Sequence, residues 1–236
     1  MLKAIRKIFS FIKEANPPQK MKRRKPWGQS LVEVAIAFPL LIMLFSGMVE
    51  FGFMLNTYLS LLDATRQTAR FYSNINPFTS IDESTTPPTI LDDMDFYNGI
   101  AGMVRDILAP PDDPLARRIV FNSSRGDDII VSVLRVSVSD STHAITGIER
   151  FPADQTNPYF QVFGNQLSVY ADDARIEQLM TANGSEPVRT GMLIVEIYYG
   201  YEGVLKLPWV EAFMDVVMLH ADTIMPLVSA KPPRTP

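Results

Sequence analysis

The 236-residue chain contains no cysteine and only two histidines, His143 and His220. The missing cysteine excludes disulfide bonds, thiolate zinc sites and cysteine nucleophiles, although it does not identify a compartment. Nothing in the sequence pairs the two histidines into a metal site. A glycine-rich phosphate loop, a Gly-x-Ser-x-Gly motif and a His-Glu-x-x-His motif are all missing as well. We therefore expect no catalytic residue, no metal site and no cofactor.

Basic and acidic residues are distributed unevenly along the chain. Residues 1–28 hold nine Lys and Arg but a single acid, Glu14, for a net charge of +8. The remainder holds 13 basic and 25 acidic residues, for a net charge of −12. A short basic end before an apolar run, followed by an acidic body, predicts a cytoplasmic N-terminus and an exported body, and it does not suggest nucleic-acid binding.

A long apolar run follows the basic end. Because a helix needs about 20 apolar residues to cross a bilayer, Leu31–Met54 is long enough. The pattern then becomes amphipathic, so we predict one long helix over Gln29–Tyr72 that is transmembrane in its first half. A cleavable secretory signal does not fit, because the basic region is too long and no Ala-x-Ala site follows. The cluster Lys20–Lys25 would lie against membrane lipid, where each charge contributes about 1 kcal/mol of attraction to an anionic leaflet.

Three residues are unusual in such a helix. A carboxylate at bilayer depth costs at least ~2.5 kcal/mol, yet Glu33 and Glu50 both lie in the apolar run. Each is either a tolerated interfacial acid or a residue with a partner. Pro39 removes a backbone donor and frees a carbonyl, so we expect a kink or a local break there. In a membrane the freed carbonyl is satisfied by neighbouring helices or water, which favours a helix bundle.

Gly28, followed by four residues, Glu33 and an apolar helix, resembles the processing site of type IV pilin precursors. The resemblance implies that a prepilin peptidase cuts between Gly28 and Gln29, leaving Glu33 as residue five of the mature chain. Glu33 would then neutralise the new ammonium terminus of a neighbouring subunit. Such a pair sets the register of packed helices in a low-dielectric setting, because either charge left unpaired is costly.

The chain also has Pro39, Glu50-Phe51-Gly52 and Ala69-Arg70 in this order. With these residues, it resembles more narrowly the TadE-like family, the minor pseudopilins of tight-adherence pilus systems. The family often has glycine where Thr68 stands here. The implied partners are other pilins and pseudopilins, the prepilin peptidase, the pilus assembly platform and membrane lipid. The implied location is the bacterial inner membrane, spanned once, or a pilus assembled from it. The matching positions are Gly28-Gln29, Glu33, Pro39, Glu50-Phe51-Gly52, Ala64, Arg66 and Ala69-Arg70.

This reading assigns Glu33, Pro39 and Glu50 to assembly and Gly28 and Gln29 to processing. An alternative stays open from the residues alone. In that alternative the chain is an uncleaved single-pass anchor that presents an extracytoplasmic binding domain, and Glu33 has no special role.

The rest of the chain predicts an α+β fold, with a small antiparallel-sheet domain packed on the upper half of the long helix. This pilin-like arrangement rests on analogy. We expect a leader over 1–28, the helix over 29–72, a linker over 73–90, the exported domain over 91–229 and a tail over 230–236. Arg125-Gly126-Asp127 is interpreted as a turn and not as an adhesion motif. The predicted elements are a helix over Leu91–Leu108, a hairpin of Arg118–Ser123 with Asp128–Val138, short strands over Tyr159–Gly164 and Leu167–Ala171, a helix over Asp172–Ala182 closed by Asn183-Gly184, a strand over Met192–Tyr199, a helix over Trp209–Met218 and a strand over Asp222–Ser229.

Overall fold

The structure is a computed structural model that describes residues 27–82, 84, 89–112, 118–153, 157, 159–181, 191–211 and 216–227. Most of the expected leader, the closing Asn183-Gly184 and the tail lie outside the described residues. The chain divides into two compact units, Met1–Phe45 and Ser46–Pro236.

Helix α1 (Trp27–Tyr72) is a single element of 46 residues, as the apolar and amphipathic pattern predicts. It continues through Pro39 without interruption, so the local break that the sequence allows is not found. By length and composition it can cross a membrane, and it is the one such helix among the described residues. Apolar side chains from Leu31 to Phe45 are largely exposed, with Leu31 at 71 % and Phe45 at 64 %.

The unit Ser46–Pro236 combines the second part of α1 with two antiparallel sheets. The larger sheet has the order β4-β3-β6-β7, and β5 pairs with β3 beside β4. This mixture of helices and antiparallel strands confirms the α+β prediction. The elements are β1 (Phe78–Asp82), β2 (Thr89–Asp92), α2 (Met94–Leu108), β3 (Asp128–Val138), β4 (Ile145–Phe151), β5 (Phe160–Gln161), α3 (Asp173–Thr181), β6 (Gly191–Glu202), α4 (Pro208–Glu211) and β7 (Val216–Leu227).

The main core lies between the large sheet and the two helices α1 and α2. Because side chains alternate across a strand, one set of β3 and β6 residues faces this core. The hydroxyl groups of Thr65 and Thr223 share a hydrogen bond of 2.9 Å and join α1 to β7. Core residues include Leu61, Ala64 and Ala69 of α1, Tyr97, Ile100 and Val104 of α2, and Ile129, Val131, Leu193, Val195 and Ile197 of the sheet.

The opposite face of the sheet is also covered. Tyr170 and Ile176, from the segment that includes α3, pack on Leu134 and Ile194. The central strands β3 and β6 are therefore buried on both sides, which explains their continuous runs of apolar residues.

Several predicted elements are wrong. The interval Ser73–Ile90, predicted as a linker or loop, contains β1 and the start of β2. Arg118–Ser123 forms no strand, and the predicted hairpin is replaced by a 3-10 turn over Ser123–Arg125 that ends at Gly126 with φ +81°. The physical reason is local, since the Asp127 carboxylate accepts the backbone N–H of Asn122 and side-chain bonds of this kind compete with strand pairing.

Two further differences lie in the second half of the chain. Of the helix predicted over Trp209–Met218, the structure describes helical residues up to Glu211, and residues 212–215 lie outside the described residues. Val216–Met218 are wrong as a helix, because they belong to β7 and pair with Gly200–Glu202 of β6. Leu167–Ala171 forms no strand, because the N–H groups of Val169 and Tyr170 bind side chains. The sequence reading also missed β4, and it extended β5 too far over Tyr159–Gly164.

Candidate functional site

Glu50 is buried inside the folded unit, with 1 % of its surface exposed. Its Oε1 atom accepts a hydrogen bond of 2.5 Å from the Tyr201 hydroxyl and one of 2.7 Å from the Val204 N–H. Its Oε2 atom accepts a hydrogen bond of 2.9 Å from the Leu205 N–H. Three donors from the end of β6 and the following loop thus surround one carboxylate, as the burial of such a group requires.

A second contact lies one helical turn before Glu50. The indole Nε1–H of Trp209 donates a hydrogen bond of 3.0 Å to Ser46 Oγ, and Ser46 is also buried. Residues four apart lie on the same face of a helix, so Ser46 and Glu50 hold the same loop. We call Ser46, Glu50, Tyr201, Val204, Leu205 and Trp209 the junction.

The junction adds an intrachain role for Glu50. The sequence assigns Glu50 to assembly with other subunits, which stays a prediction, and within this chain its carboxylate holds the end of β6 and the loop after it. The donors are neutral, so the negative charge is stabilised by directed hydrogen bonds and not by an ion pair. No periodicity or motif in the sequence connects Glu50 to a tyrosine 151 positions later.

The other residues that the sequence assigns to processing and assembly lie in the unit Met1–Phe45. They are Gly28, Gln29, Glu33 and Pro39. Gly28 is in the first turn of α1, is exposed, and has open space around the position that a Cβ atom would take. The backbone of Gln29 is helical, and Glu33 and Pro39 are exposed. The geometry therefore leaves the backbone at Gly28 accessible, and the processing and assembly roles of these residues stay predictions.

Between Met48 and Leu59 the exposed side of α1 is mostly apolar. Met48, Phe51, Leu55 and Leu59 are exposed to between 46 % and 71 % and recur every three or four residues. This spacing places them on one face. We call these four residues the apolar stripe. The opposite face of the same segment carries Ser46, Glu50, Thr57 and Leu61, all buried in the folded unit.

A set of buried acidic residues, which the sequence reading missed, lies on the large sheet. Asp128 is fully buried and accepts hydrogen bonds from the N–H groups of Phe163, Asn165 and Gln166. Its carboxylate thereby fixes the loop that follows β5. Asp127 is equally buried and accepts the Gly200 N–H at 2.7 Å. The Arg-Gly-Asp tripeptide consequently presents no free aspartate, in agreement with its interpretation as a turn.

Glu196 on β6 is, like Asp128 on β3, a buried acidic residue that holds a neighbouring segment. It is fully buried and bonds to the Ser168 hydroxyl, the Val169 N–H and His220 Nε2, the last at 3.3 Å. Burial and the nearby Glu196 carboxylate raise the pKa of Tyr198 above its ordinary value. These contacts attach the segment that covers the outer face of the sheet. Across the described residues, no group of three or more His, Cys, Asp or Glu side chains is arranged to hold a metal ion.

Comparison with known proteins identifies one family. A family model described as TadE-like protein matches residues 28–70. This interval begins at Gly28 and ends near the end of α1, so it includes the apolar segment, the apolar stripe and the two junction residues of the helix. No curated protein and no solved structure matches the chain.

Proposed function

Residues 28–70 match the TadE-like family, which belongs to the Tad pilus system. From this premise we propose that the protein is a minor pseudopilin. It is inserted in the bacterial inner membrane with the N-terminus in the cytoplasm, cut by a prepilin peptidase after Gly28, and assembled through α1 into a pilus or its base. The role is structural and supports surface adhesion. Other pilins and pseudopilins, the assembly platform and membrane lipid are its partners.

The apolar stripe is the observation that carries this proposal. Exposed apolar side chains in the apolar segment are expected in lipid, but the stripe continues along α1 where the opposite face is already packed on the folded unit. A neighbouring helix of the same kind would bury this surface, and the gain is about 25 cal/mol for each Å² removed from water. The stripe therefore favours assembly over the alternative of a solitary uncleaved anchor.

Processing is tested by mass spectrometry of the membrane-extracted protein. We expect an N-terminus at Gln29 in cells with an active prepilin peptidase, and an N-terminus at the start of the precursor in cells without it. Gly28→Leu obstructs the backbone and prevents the cut, whereas Gly47→Leu, at another exposed glycine of α1, leaves it unchanged. An uncut chain in the presence of the active peptidase would establish the anchor alternative.

Assembly is tested separately by a photo-reactive amino acid in the mature chain. Placed at Leu55, which is 46 % exposed, it should cross-link to another pilin-type subunit; placed at Thr57, which is 1 % exposed, it should not. Glu33→Ala should preserve membrane insertion but abolish the Leu55 cross-link, since the partner of the new ammonium terminus is lost. Cross-links to lipid alone at Leu55 would contradict assembly through this face.

A further inference from the structure

The loop Gly203–Trp209, with the sequence GVLKLPW, is unusual for its composition. It contains no acid, although the chain after Gly28 carries a net charge of −12. Val204 is 49 % exposed and Trp209 is 37 % exposed, and Lys206 is exposed between two leucines. The loop therefore combines exposed apolar side chains with one positive charge.

The junction shows where this loop lies along the chain. Ser46 is the first residue of the unit Ser46–Pro236. A side chain that contacts Ser46 therefore lies at the start of that unit's part of α1. The loop is attached there twice, by Trp209 to Ser46 and by Val204 and Leu205 to Glu50.

The length of the apolar run gives the position of the membrane surface. The run begins at Leu31, and about 20 residues of helix at 1.5 Å each cross the ~30 Å of a bilayer's hydrocarbon core. Counted from Leu31, about 20 residues reach Glu50, so the outer surface of the hydrocarbon falls near the junction. The buried carboxylate of Glu50 and its donors then lie at this surface.

We propose that Gly203–Trp209 is a membrane-contacting foot of the folded unit. The Trp209 ring and Val204 enter the boundary between headgroups and acyl chains of the outer leaflet, and Lys206 binds the anionic headgroups. Tryptophan is favoured at this boundary because its ring is apolar and its N–H needs a polar partner, here Ser46. A lysine near an anionic surface gains about 1 kcal/mol. The foot rests on the membrane anchoring in the proposed function, and it adds a second lipid contact outside α1.

The test uses tryptophan fluorescence of the full chain in vesicles that contain anionic lipid. The chain has two tryptophans, so Trp27→Phe leaves Trp209 as the only one. We expect blue-shifted emission, strong quenching by lipids brominated near the headgroup, weaker quenching by lipids brominated near the chain end, and protection from aqueous iodide. Lys206→Glu in the same background should weaken the lipid quenching.

Phe71 provides the control for a position far from the foot. It is an aromatic residue of α1 and is 57 % exposed. It lies roughly 31 Å further along α1 than Glu50. In a background with Trp27→Phe and Trp209→Phe, Phe71→Trp should be quenched by iodide and not by brominated lipid.

Three results would overturn the foot. Iodide quenching of Trp209 without lipid quenching would place the loop in water. Protection from both quenchers would mean that another protein subunit covers it. Failure of the chain to float with the vesicles would overturn membrane anchoring and the foot together, whereas the first two results leave the proposed anchoring intact.

Discussion

The Tyr201 hydroxyl donates a hydrogen bond of 2.5 Å to Glu50 Oε1, joining the end of the central strand β6 to helix α1. Both residues are buried, Glu50 at 1 % and Tyr201 at 3 % exposure. With the N–H groups of Val204 and Leu205, this contact makes the Glu50 carboxylate the attachment point on α1 for the end of β6 and the loop that follows it. Glu50 is therefore a buried, hydrogen-bonded residue, whereas Glu33 is exposed in this structure.

Glu50→Gln should destabilise the folded unit. A glutamine turns an NH₂ group toward donors that need an acceptor, so at least one hydrogen bond is lost, at a cost of about 1–3 kcal/mol. Tyr201→Phe removes one donor and should cost less, about 1 kcal/mol. Thermal unfolding in detergent and proteolysis of the loop after β6 measure both effects.

Glu33→Gln is the control for Glu50→Gln, because Glu33 lies outside the unit Ser46–Pro236. It should leave the melting temperature of the folded unit unchanged. Equal melting temperatures for Glu50→Gln and the wild type would show that the junction does not stabilise the unit.

Asp128→Asn should loosen the loop that follows β5. The carboxylate accepts three N–H groups of that loop in a fully buried position, and an amide cannot accept all three. We expect a loss of about 1–3 kcal/mol and faster hydrogen exchange at Phe163, Asn165 and Gln166. Glu149→Gln removes an exposed ion pair with Arg135 and should change stability by less than about 1 kcal/mol. Unchanged exchange at these three amides in Asp128→Asn would contradict the assignment.

Two glycines of α2 provide a matched pair. A Cβ atom at Gly102 meets nothing within 4 Å, whereas one at Gly99 overlaps the Tyr72 hydroxyl oxygen. Gly102→Ala should therefore gain up to about 1 kcal/mol of helix propensity. Gly99→Ala should be less stable than Gly102→Ala, because the Tyr72 side chain must shift to make room for the new methyl group.

The double variant Gly99→Ala with Tyr72→Phe tests the cause of that difference. Removal of the hydroxyl should recover part of the lost stability in a double-mutant cycle. Additive effects of the two changes would indicate that the clash is not responsible.

Stability should fall in alkaline solution. Burial, with the nearby carboxylate of Asp92, raises the pKa of Tyr97 well above its ordinary value of 10.0, and burial likewise raises the pKa of Tyr170. Above pH ~10 the unfolded chain loses phenol protons that the folded chain keeps, so the folded state binds more protons and its stability decreases as pH rises. Below pH ~10 this contribution is fully present.

In Tyr97→Phe, the free energy of unfolding should fall less steeply above pH ~10. The slope should be smaller by up to about 1.4 kcal/mol per pH unit. Urea unfolding of the detergent-solubilised protein at neutral pH and above pH ~10 measures the slope. Since the variant also loses the hydrogen bond of the phenol to Asp92, its stability at neutral pH serves as the reference. Parallel curves for variant and wild type would rule out Tyr97 as a source of the pH dependence.

Much of the first part of the chain was predictable because its signals are local. Apolar length and helical periodicity predicted α1, and the spacing of Gly28, Glu33, Pro39 and Glu50 indicated the family that the comparison finds over residues 28–70. In the folded unit, the strand predicted over Met192–Tyr199 is found within β6, since its pattern is long and regular. The helix predicted over Leu91–Leu108 is found over Met94–Leu108, because Leu91 and Asp92 pair in β2.

The errors occur where particular contacts, some distant in the chain and some local, decide the structure against the preference of the segment. The apolar residues Val216–Met218 fit a helix as well as a strand until they pair with β6. Arg118–Ser123 has strand-forming residues, but Asp127 binds the Asn122 N–H and holds a turn nearby. The β1–β2 pair is short, so no period distinguished it from a loop.

The sequence alone determined that this protein has a basic end, a membrane-length helix with two acids and a proline, and an acidic body without cysteine. These properties depend on composition and on spacing along one helix, and both can be read without folding the chain. Only the tertiary structure decided which groups contact Glu50. Its donors Tyr201, Val204 and Leu205 are more than 150 residues away in the chain, and a hydrogen bond between residues that far apart depends on how the strands and the helix pack.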